Sequence, residues 1–333
     1  MPQTSEKSDI DVSVVVPVFN EVESVSDLCR RLHEVLSRLG RKYELILVDD
    51  GSRDGTWEKL CELSETIPHL RMIRFRRNFG QTAAMSAGFH AAEGSVIITL
   101  DADLQNDPAD IPILLQKMEG GADVVSGWRK DRKDTFINRR LPSMVANALI
   151  SRITGVRLHD YGCTLKAYRK EVIRNVNLYG EMHRFIPALA SWVGADVEEV
   201  VVRHHARVFG KSKYGISRML RVILDLVTVR FLLTYSKSPI QIFGKIAMWL
   251  GTPGILMLVV MALGNISNML FGTQFAADLI KRPFWVMTSF MLMFFGIQLL
   301  SMGLLAEIQI RTYHESQNKP IYVIREERRS PVR

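Results

Sequence analysis

Short apolar runs alternate with longer amphipathic stretches along the first part of the chain. Runs at 12–16, 45–48, 72–75, 96–100 and 124–125 predict strands, and the stretches 22–39, 57–67, 82–92 and 111–118 predict helices between them. Alternating strands and helices form βαβ units, which give a mostly parallel, Rossmann-like α/β sheet covered on both faces. Ligands of such sheets bind beyond the carboxyl ends of the strands, which here lead into Pro17, Phe19, Asn20 and Glu21, into Asp49, Asp50, Gly51 and Ser52, and into Asp101, Ala102 and Asp103.

From about residue 131 to 215 the alternation loosens, and Arg132, Arg139, Arg140, Arg203, Arg207, Lys211 and Lys213 gather among loops, with Arg129 just before them. The stretch 216–238 predicts an amphipathic helix: Ile216, Met219, Leu220, Ile223 and Val227 share one face, and Arg218, Arg221 and Asp225 the other. Arg230 departs from this pattern, although its head can snorkel to a phosphate. Such a helix either packs on the domain or lies in a membrane interface. Two uncharged runs follow, 246–263 and 283–306, each near the ~20 residues that cross a hydrocarbon core, and they set spans of about 242–268 and 283–306. They predict two transmembrane helices, the first kinked around Gly251, Pro253 and Gly254. The expected organisation is therefore a polar tail (1–10), a catalytic domain (11–215), an interfacial helix (216–238), a transmembrane pair (239–310) and a C-terminal tail (311–333). Within that tail, 320–325 could add a short strand to a neighbouring chain.

Charge orients this arrangement. Lys237, Lys245, Arg311, Lys319, Arg325, Arg328 and Arg329 flank the pair and outweigh Lys281 and Arg282 between the runs, which predicts a multi-pass protein of the cell membrane with both ends cytoplasmic. The first ten residues have no apolar segment of the kind a cleaved signal carries. A net charge of +8 suits nucleic acid, anionic lipid or a phosphorylated substrate equally. Cys29, Cys61 and Cys163 lie far apart without a C-x-x-C pair, which gives no zinc spacing and suggests a reducing compartment.

The strongest chemical signal is Asp101-Ala102-Asp103 after an apolar strand, with Gln105 two residues on. Paired carboxylates repel unless a cation or a proton sits between them, and hard oxygen donors favour Mg2+ or Mn2+ shared with substrate phosphates. Asp54 or Thr56 is placed to cap the helix that follows, whereas Asp49 and Asp50 have no helix to serve and are candidates to accept from a base N–H or a ribose hydroxyl. The Pro17 to Glu21 turn would hold the other side of the nucleoside. Gly210-Lys211-Ser212 is not a phosphate-binding P-loop, because the glycine required five residues before Gly210 is His205. Arg139 and Ser143, four apart, would share one helix face and could grip a phosphate.

Taken together, P-V-F-N-E (17–21), V-D-D-G-S-R-D-G-T (48–56), R-N-F-G-Q (77–81), D-A-D-L-Q-N-D-P (101–108), D-Y-G-C-T (160–164) and R-V-F-G-K-S-K-Y (207–214) resemble the family-2 glycosyltransferases of GT-A fold, and within them the polyprenyl-phosphate branch. The resemblance covers nearly the whole chain. It implies inverting transfer of a sugar, UDP-glucose being the first expectation for the donor, to a polyprenyl phosphate such as undecaprenyl phosphate at the cytoplasmic membrane face. Pro17, Phe19, Asn20, Glu21, Asp49, Asp50, Asp54, Gly80, Gln81, Asp101 and Ala102 would then hold the nucleotide, and Asp101, Asp103 and Gln105 the metal and diphosphate. Arg129, Arg139, Ser143, Arg207, Lys211 and Lys213 would hold the acceptor phosphate; Asp103, Asp160, Arg139 and Arg207 form the expected catalytic set. Asp160 would act either as a base or by orienting a nearby arginine.

Two other readings compete. One is a transferase acting on a lipid or polysaccharide hydroxyl, although the Q-x-x-R-W element of processive synthases does not occur in the sequence. The other is a noncatalytic nucleotide-binding membrane scaffold, which the intact carboxylate set disfavours. No nucleic-acid partner is expected, and a homo-oligomer is one assembly that the sequence allows.

Overall fold

The computed structural model describes residues 10–130, 141–176, 178, 182–206, 240–272, 283–316 and 321–330. Two compact units arise, one from Met1–Arg230 together with Pro320–Arg333 and one from Phe231–Lys319.

The first unit is built on an eight-stranded sheet of order β7-β5-β6-β4-β1-β2-β3-β8. Strands β1 (Val12–Val18), β2 (Tyr43–Asp49), β3 (Leu70–Phe75) and β4 (Val96–Thr99) pair in parallel, as the apolar runs predict. The connecting helices are α1 (Val25–Arg38), α2 (Thr56–Thr66) and α3 (Gln81–Ala91), followed by α4 (Ile111–Glu119). Helix α1 shows why such stretches pack: Val25, Leu28, Cys29, Leu32 and Leu36 fall on one buried face, while Arg30, Arg31 and Arg38 pair with Asp27 and Glu34 on the other.

Where the alternation loosens, the sheet changes direction. Strand β6 (Lys166–Arg169) is antiparallel to β4 on one side and to β5 (Val124–Trp128) on the other, and β7 (Val197–Val201) extends β5 in parallel. Helices α5 (Leu141–Thr154), α6 (Lys170–Ile173) and α7 (Ile186–Trp192) complete this half. The antiparallel β6 places the loop before it, 160–165, against the carboxyl end of β4.

Residues expected as a C-terminal tail contribute instead the eighth strand. β8 (Ile324–Arg329) runs antiparallel to β3, with Arg71 opposite Arg329 and Arg74 opposite Glu326. The strand foreseen near 320–325 thus pairs within its own sheet rather than with a neighbouring chain. Its register is held by Arg71 Nε on Glu327 at 2.8 Å and by Leu70 N on Ser330 Oγ at 3.1 Å.

The second unit is a pair of long apolar helices, α8 (Ile240–Phe271) and α9 (Pro283–Ser316). Phe243–Phe271 and Pro283–Ala306 are long and apolar enough to cross a membrane, with mean hydropathies of 2.1 and 1.9. Large side chains such as Trp249, Met269, Phe271, Phe284 and Leu305 are more than 60% exposed, a surface suited to lipid rather than water. Helix α8 continues through Pro253. The helices meet through small residues: a Cβ on Gly254 would lie 2.7 Å from Ser289 O, and one on Gly296 would lie 3.0 Å from Gly251 Cα. The interfacial helix foreseen at 216–238 lies outside the described residues.

Gly254→Val should therefore weaken the helix pair by about 1–3 kcal/mol, read as a lower unfolding midpoint in mixed micelles. A variant as stable as the parent would show that the backbones do not approach there.

Candidate active site

Because β4, β1 and β2 are neighbours in parallel, the loops leaving their carboxyl ends converge on one edge of the sheet. The loop after β1 and the loop after β2 are stitched together. Asn20, at φ 55°, donates its N–H to Ser52 Oγ at 2.9 Å and accepts from Arg53 N at 3.0 Å; Glu21 N donates to Thr56 Oγ1 at 3.0 Å. Asp54 accepts from Val22 N and from Thr56 N, the first amide of α2, so its carboxylate joins the loops, while the N-cap position is Gly55 without a side-chain cap. Asp49 is fully buried, accepts from Ser52 N at 2.9 Å, and holds its second oxygen 3.5 Å from Arg74 Nε, an ion pair without a hydrogen bond. The Ala102 side chain packs in the core. The side chains of Asp49, Asp54 and Ala102, expected at the nucleotide, thus belong to the framework of the loops.

Asp50 is held differently. Its two oxygens accept from Phe79 N at 2.6 Å and Gly80 N at 2.9 Å, and burial raises its carboxyl to about 6 against the pull of those donors. The 76–80 loop crosses directly over Gly51, at φ +73°, where a Cβ would come within 2.6 Å of the Arg77 carbonyl carbon. The next residue, Gln81, donates from Nε2 to Asp101 Oδ1 at 2.7 Å.

Beside these loops lies a cavity of about 260 Å³, lined by Glu21, Gln81, Asp101, Asp103, Gln105 and Arg129 among the expected site residues. Burial and then the neighbouring Asp103 charge raise the Asp101 carboxyl to about 6. Arg129 grips Asp160 in a two-point pair, Nε to Oδ2 at 2.7 Å and Nη2 to Oδ1 at 3.0 Å, with both side chains nearly buried. Burial alone would lower the proton affinity of this guanidinium; the Asp160 carboxylate outweighs it and raises that affinity. Gly162 N also donates to Asp160, at 3.1 Å. Of the two roles foreseen for Asp160, this geometry matches that of orienting an arginine.

Among the cavity residues that sequence reasoning did not single out are the basic side chains of Lys166, His183 and Arg184. Lys166 is buried and donates to the Tyr161 and Cys163 carbonyls, and burial lowers its proton affinity. His183 is buried with Nδ1 2.9 Å from Thr82 Oγ1, and burial pushes its imidazole down to about 3, so it is neutral. Cys163, raised to about 11 by burial, is no nucleophile.

Arg139, Arg207, Lys211 and Lys213 lie outside the described residues; Ser143 falls on α5, and its side chain is not described. The chain just before Arg207 is pinned beside the cavity. His205 N donates to Gln105 O at 2.9 Å, and Arg203 pairs with Asp110 at 2.8 Å.

Comparisons with known proteins agree with this geometry. The sequence profile of "Glycosyl transferase family 2" matches residues 13–176. The chain is 44% identical over 324 residues to a dodecaprenyl-phosphate galacturonate synthase of Rhizobium johnstonii, covering 95% of this chain and 93% of that one. It is 40% identical over 321 residues to an undecaprenyl-phosphate 4-deoxy-4-formamido-L-arabinose transferase of Klebsiella pneumoniae, covering 96% and 94%. Among solved structures, the Mycobacterium tuberculosis glucosyl-3-phosphoglycerate synthase with Mn2+ and UDP-glucose superposes with a TM-score of 0.54 at 16% identity, over 68% of this chain and 80% of that one. At that identity the likeness speaks for the GT-A fold.

Replacing Asp160 by Asn leaves Arg129 buried without its counter-charge, which should cost about 3 kcal/mol of stability. Thermal unfolding of the purified variant reads this directly, and an unchanged midpoint would mean that the pair is not structural.

Proposed function

Since the chain belongs to the family 2 glycosyltransferases, in the branch acting on polyprenyl phosphates, we propose that it transfers a sugar from UDP-glucose to undecaprenyl phosphate with inversion at the anomeric carbon. The observation that carries this reading is one cavity in which an acid pair, Asp101 and Asp103, stands within electrostatic reach of the buried Arg129.

Asp50, Asn20 and Glu21 would receive the nucleoside. The metal reading rests on donor chemistry: two carboxylates and the Gln105 amide are hard oxygen donors, and Asp101 is held in a state that favours a positive neighbour. No cluster of three or more His, Cys, Asp or Glu occurs among the described residues, so a cation here would complete its shell from the donor diphosphate and water, the habit of Mg2+ or Mn2+. Held by Asp101, Asp103 and Gln105, it would neutralise charge on the departing nucleoside diphosphate.

Arg129, fixed by Asp160, supplies positive charge in the cavity for the acceptor phosphate; Arg139, Ser143, Arg207, Lys211 and Lys213 are the further candidates. A phosphate monoester has its second pKa near ~6 and is largely ionised at neutral pH. The nucleophile therefore arrives deprotonated, and the site has no need of a base. The apolar helix pair would anchor the chain in the membrane that holds the lipid acceptor. The chain leaves the catalytic unit for this pair and returns to it at β8, which supports a location of both ends on one side of the bilayer, the cytoplasmic one by the basic flanks.

With purified enzyme, undecaprenyl phosphate and UDP-glucose, mass spectrometry should find the lipid phosphate sugar, and Asp103→Asn should lose turnover by on the order of 10²-fold or more. Near-normal turnover in that variant would sink the metal assignment; a product from UDP-galacturonate alone would replace the sugar but keep the reaction. Cation binding should also follow Asp101. Below its pKa of about 6 the cation must displace a proton, so Mn2+ affinity in the presence of UDP should fall roughly tenfold per pH unit there and stay flat above pH 7. Titration by electron paramagnetic resonance reads it, and a flat profile through pH 5 would exclude Asp101 as a ligand.

A further inference from the structure

The segment between α9 and β8 reaches the loop that carries the nucleotide contacts. The Tyr322 ring stacks on Phe75, with centroids 5.1 Å apart and planes 13° from parallel. Phe75 in turn meets the edge of Phe79 at 5.7 Å and 89°. Val323 O accepts from Arg76 N at 3.1 Å, and the Tyr322 hydroxyl lies 3.1 Å from His90 Nδ1 on α3. Beyond this aromatic chain the 76–81 loop spends its polar groups on the site: Phe79 N and Gly80 N on Asp50, and the Gln81 amide on Asp101.

Arg76, Arg77 and Asn78 are exposed, so the loop has little burial of its own to hold its shape. An exposed loop loses conformational freedom when it is ordered, and contacts at its ends must offset that loss. Here those contacts are the Phe75–Tyr322 stack on one side and the Asp50 carboxylate on the other.

We propose that Tyr322 is a positioning residue for the donor nucleotide: through Phe75 and Phe79 it holds the 76–81 loop so that Asp50 and Asp101 are presented together. Tyr322, just before β8, thereby supports the loop on the donor side of the site. This inference rests on the nucleotide-sugar reading above.

The test uses the full chain in lipid, with UDP plus Mn2+ as the binding probe and turnover measured at varied donor and varied acceptor. Tyr322→Ala should raise the donor KM and the UDP Kd by roughly threefold to tenfold, the worth of one aromatic pair, and leave the acceptor KM unchanged. Tyr322→Phe keeps the stack and should restore both values. Phe79→Ala should reproduce the defect, and the double variant should be no worse than either single one, because both act through the same contact chain. An unchanged donor KM in Tyr322→Ala overturns the inference; so does a parallel rise of donor and acceptor KM with a lower melting temperature, which marks general loosening. A parent enzyme that transfers sugar normally while Tyr322→Ala matches it defeats only the role of Tyr322. A parent that binds no UDP defeats the reading of the site and this inference with it.

Discussion

Negative charge crowded at the ends of neighbouring strands is the constraint around which the catalytic unit is arranged. Asp49, Asp50, Asp101 and Asp103 all leave the same edge of the sheet, and burial makes the ionised carboxylates of Asp49, Asp50 and Asp101 costly unless something answers them. The fold answers the first two with backbone: Ser52 N serves Asp49, and the 79–80 amides serve Asp50. Asp101 receives the Gln81 amide and the Thr164 side chain, feels the Arg129 and Lys166 charges, and keeps the Asp103 charge beside it, so that burial and Asp103 together still hold its carboxyl raised.

Positive charge is placed with equal care. Arg129 is buried against Asp160, and Lys166 against two carbonyls, so neither is a mobile surface cation. A guanidinium held in two-point geometry loses little freedom when an anion arrives, which is the advantage of preorganisation. The electrostatics of the cavity thus depend on β5 and β6 keeping register, because Arg129 follows one strand and Lys166 begins the other.

The sequence made most of this legible, and for physical reasons. Strands β1 to β5 are apolar because both of their faces are covered, and the loops that follow them announce themselves with glycine and aspartate. The long apolar helices were equally plain, since their uncharged runs match the ~20 residues that cross a hydrocarbon core. The extent and partner of strand β8 were hidden because Ile-Arg-Glu-Glu-Arg-Arg lies mostly exposed at an edge, where charges are tolerated and no apolar alternation is required. Lys166 and His183 were missed because basic residues scattered as in 166–170 and 183–184 give no spacing to recognise; both enter the cavity through β6 and the turn at 182–185, whose placement is tertiary. The carboxylates of Asp49 and Asp54 were legible as present but not as oriented, because a strand-end position does not say which way a side chain turns.

The pairing of β8 with β3 has a consequence for biosynthesis. Strand β3 leaves the ribosome about 250 residues before its partner, with both apolar helices made in between. At common elongation rates that is a wait of roughly ten to fifty seconds, during which the edge of β3 has no ladder to join. Completion of the sheet thus waits until both apolar helices have been made, and a polypeptide stalled before residue 324 would keep β3 as an open edge.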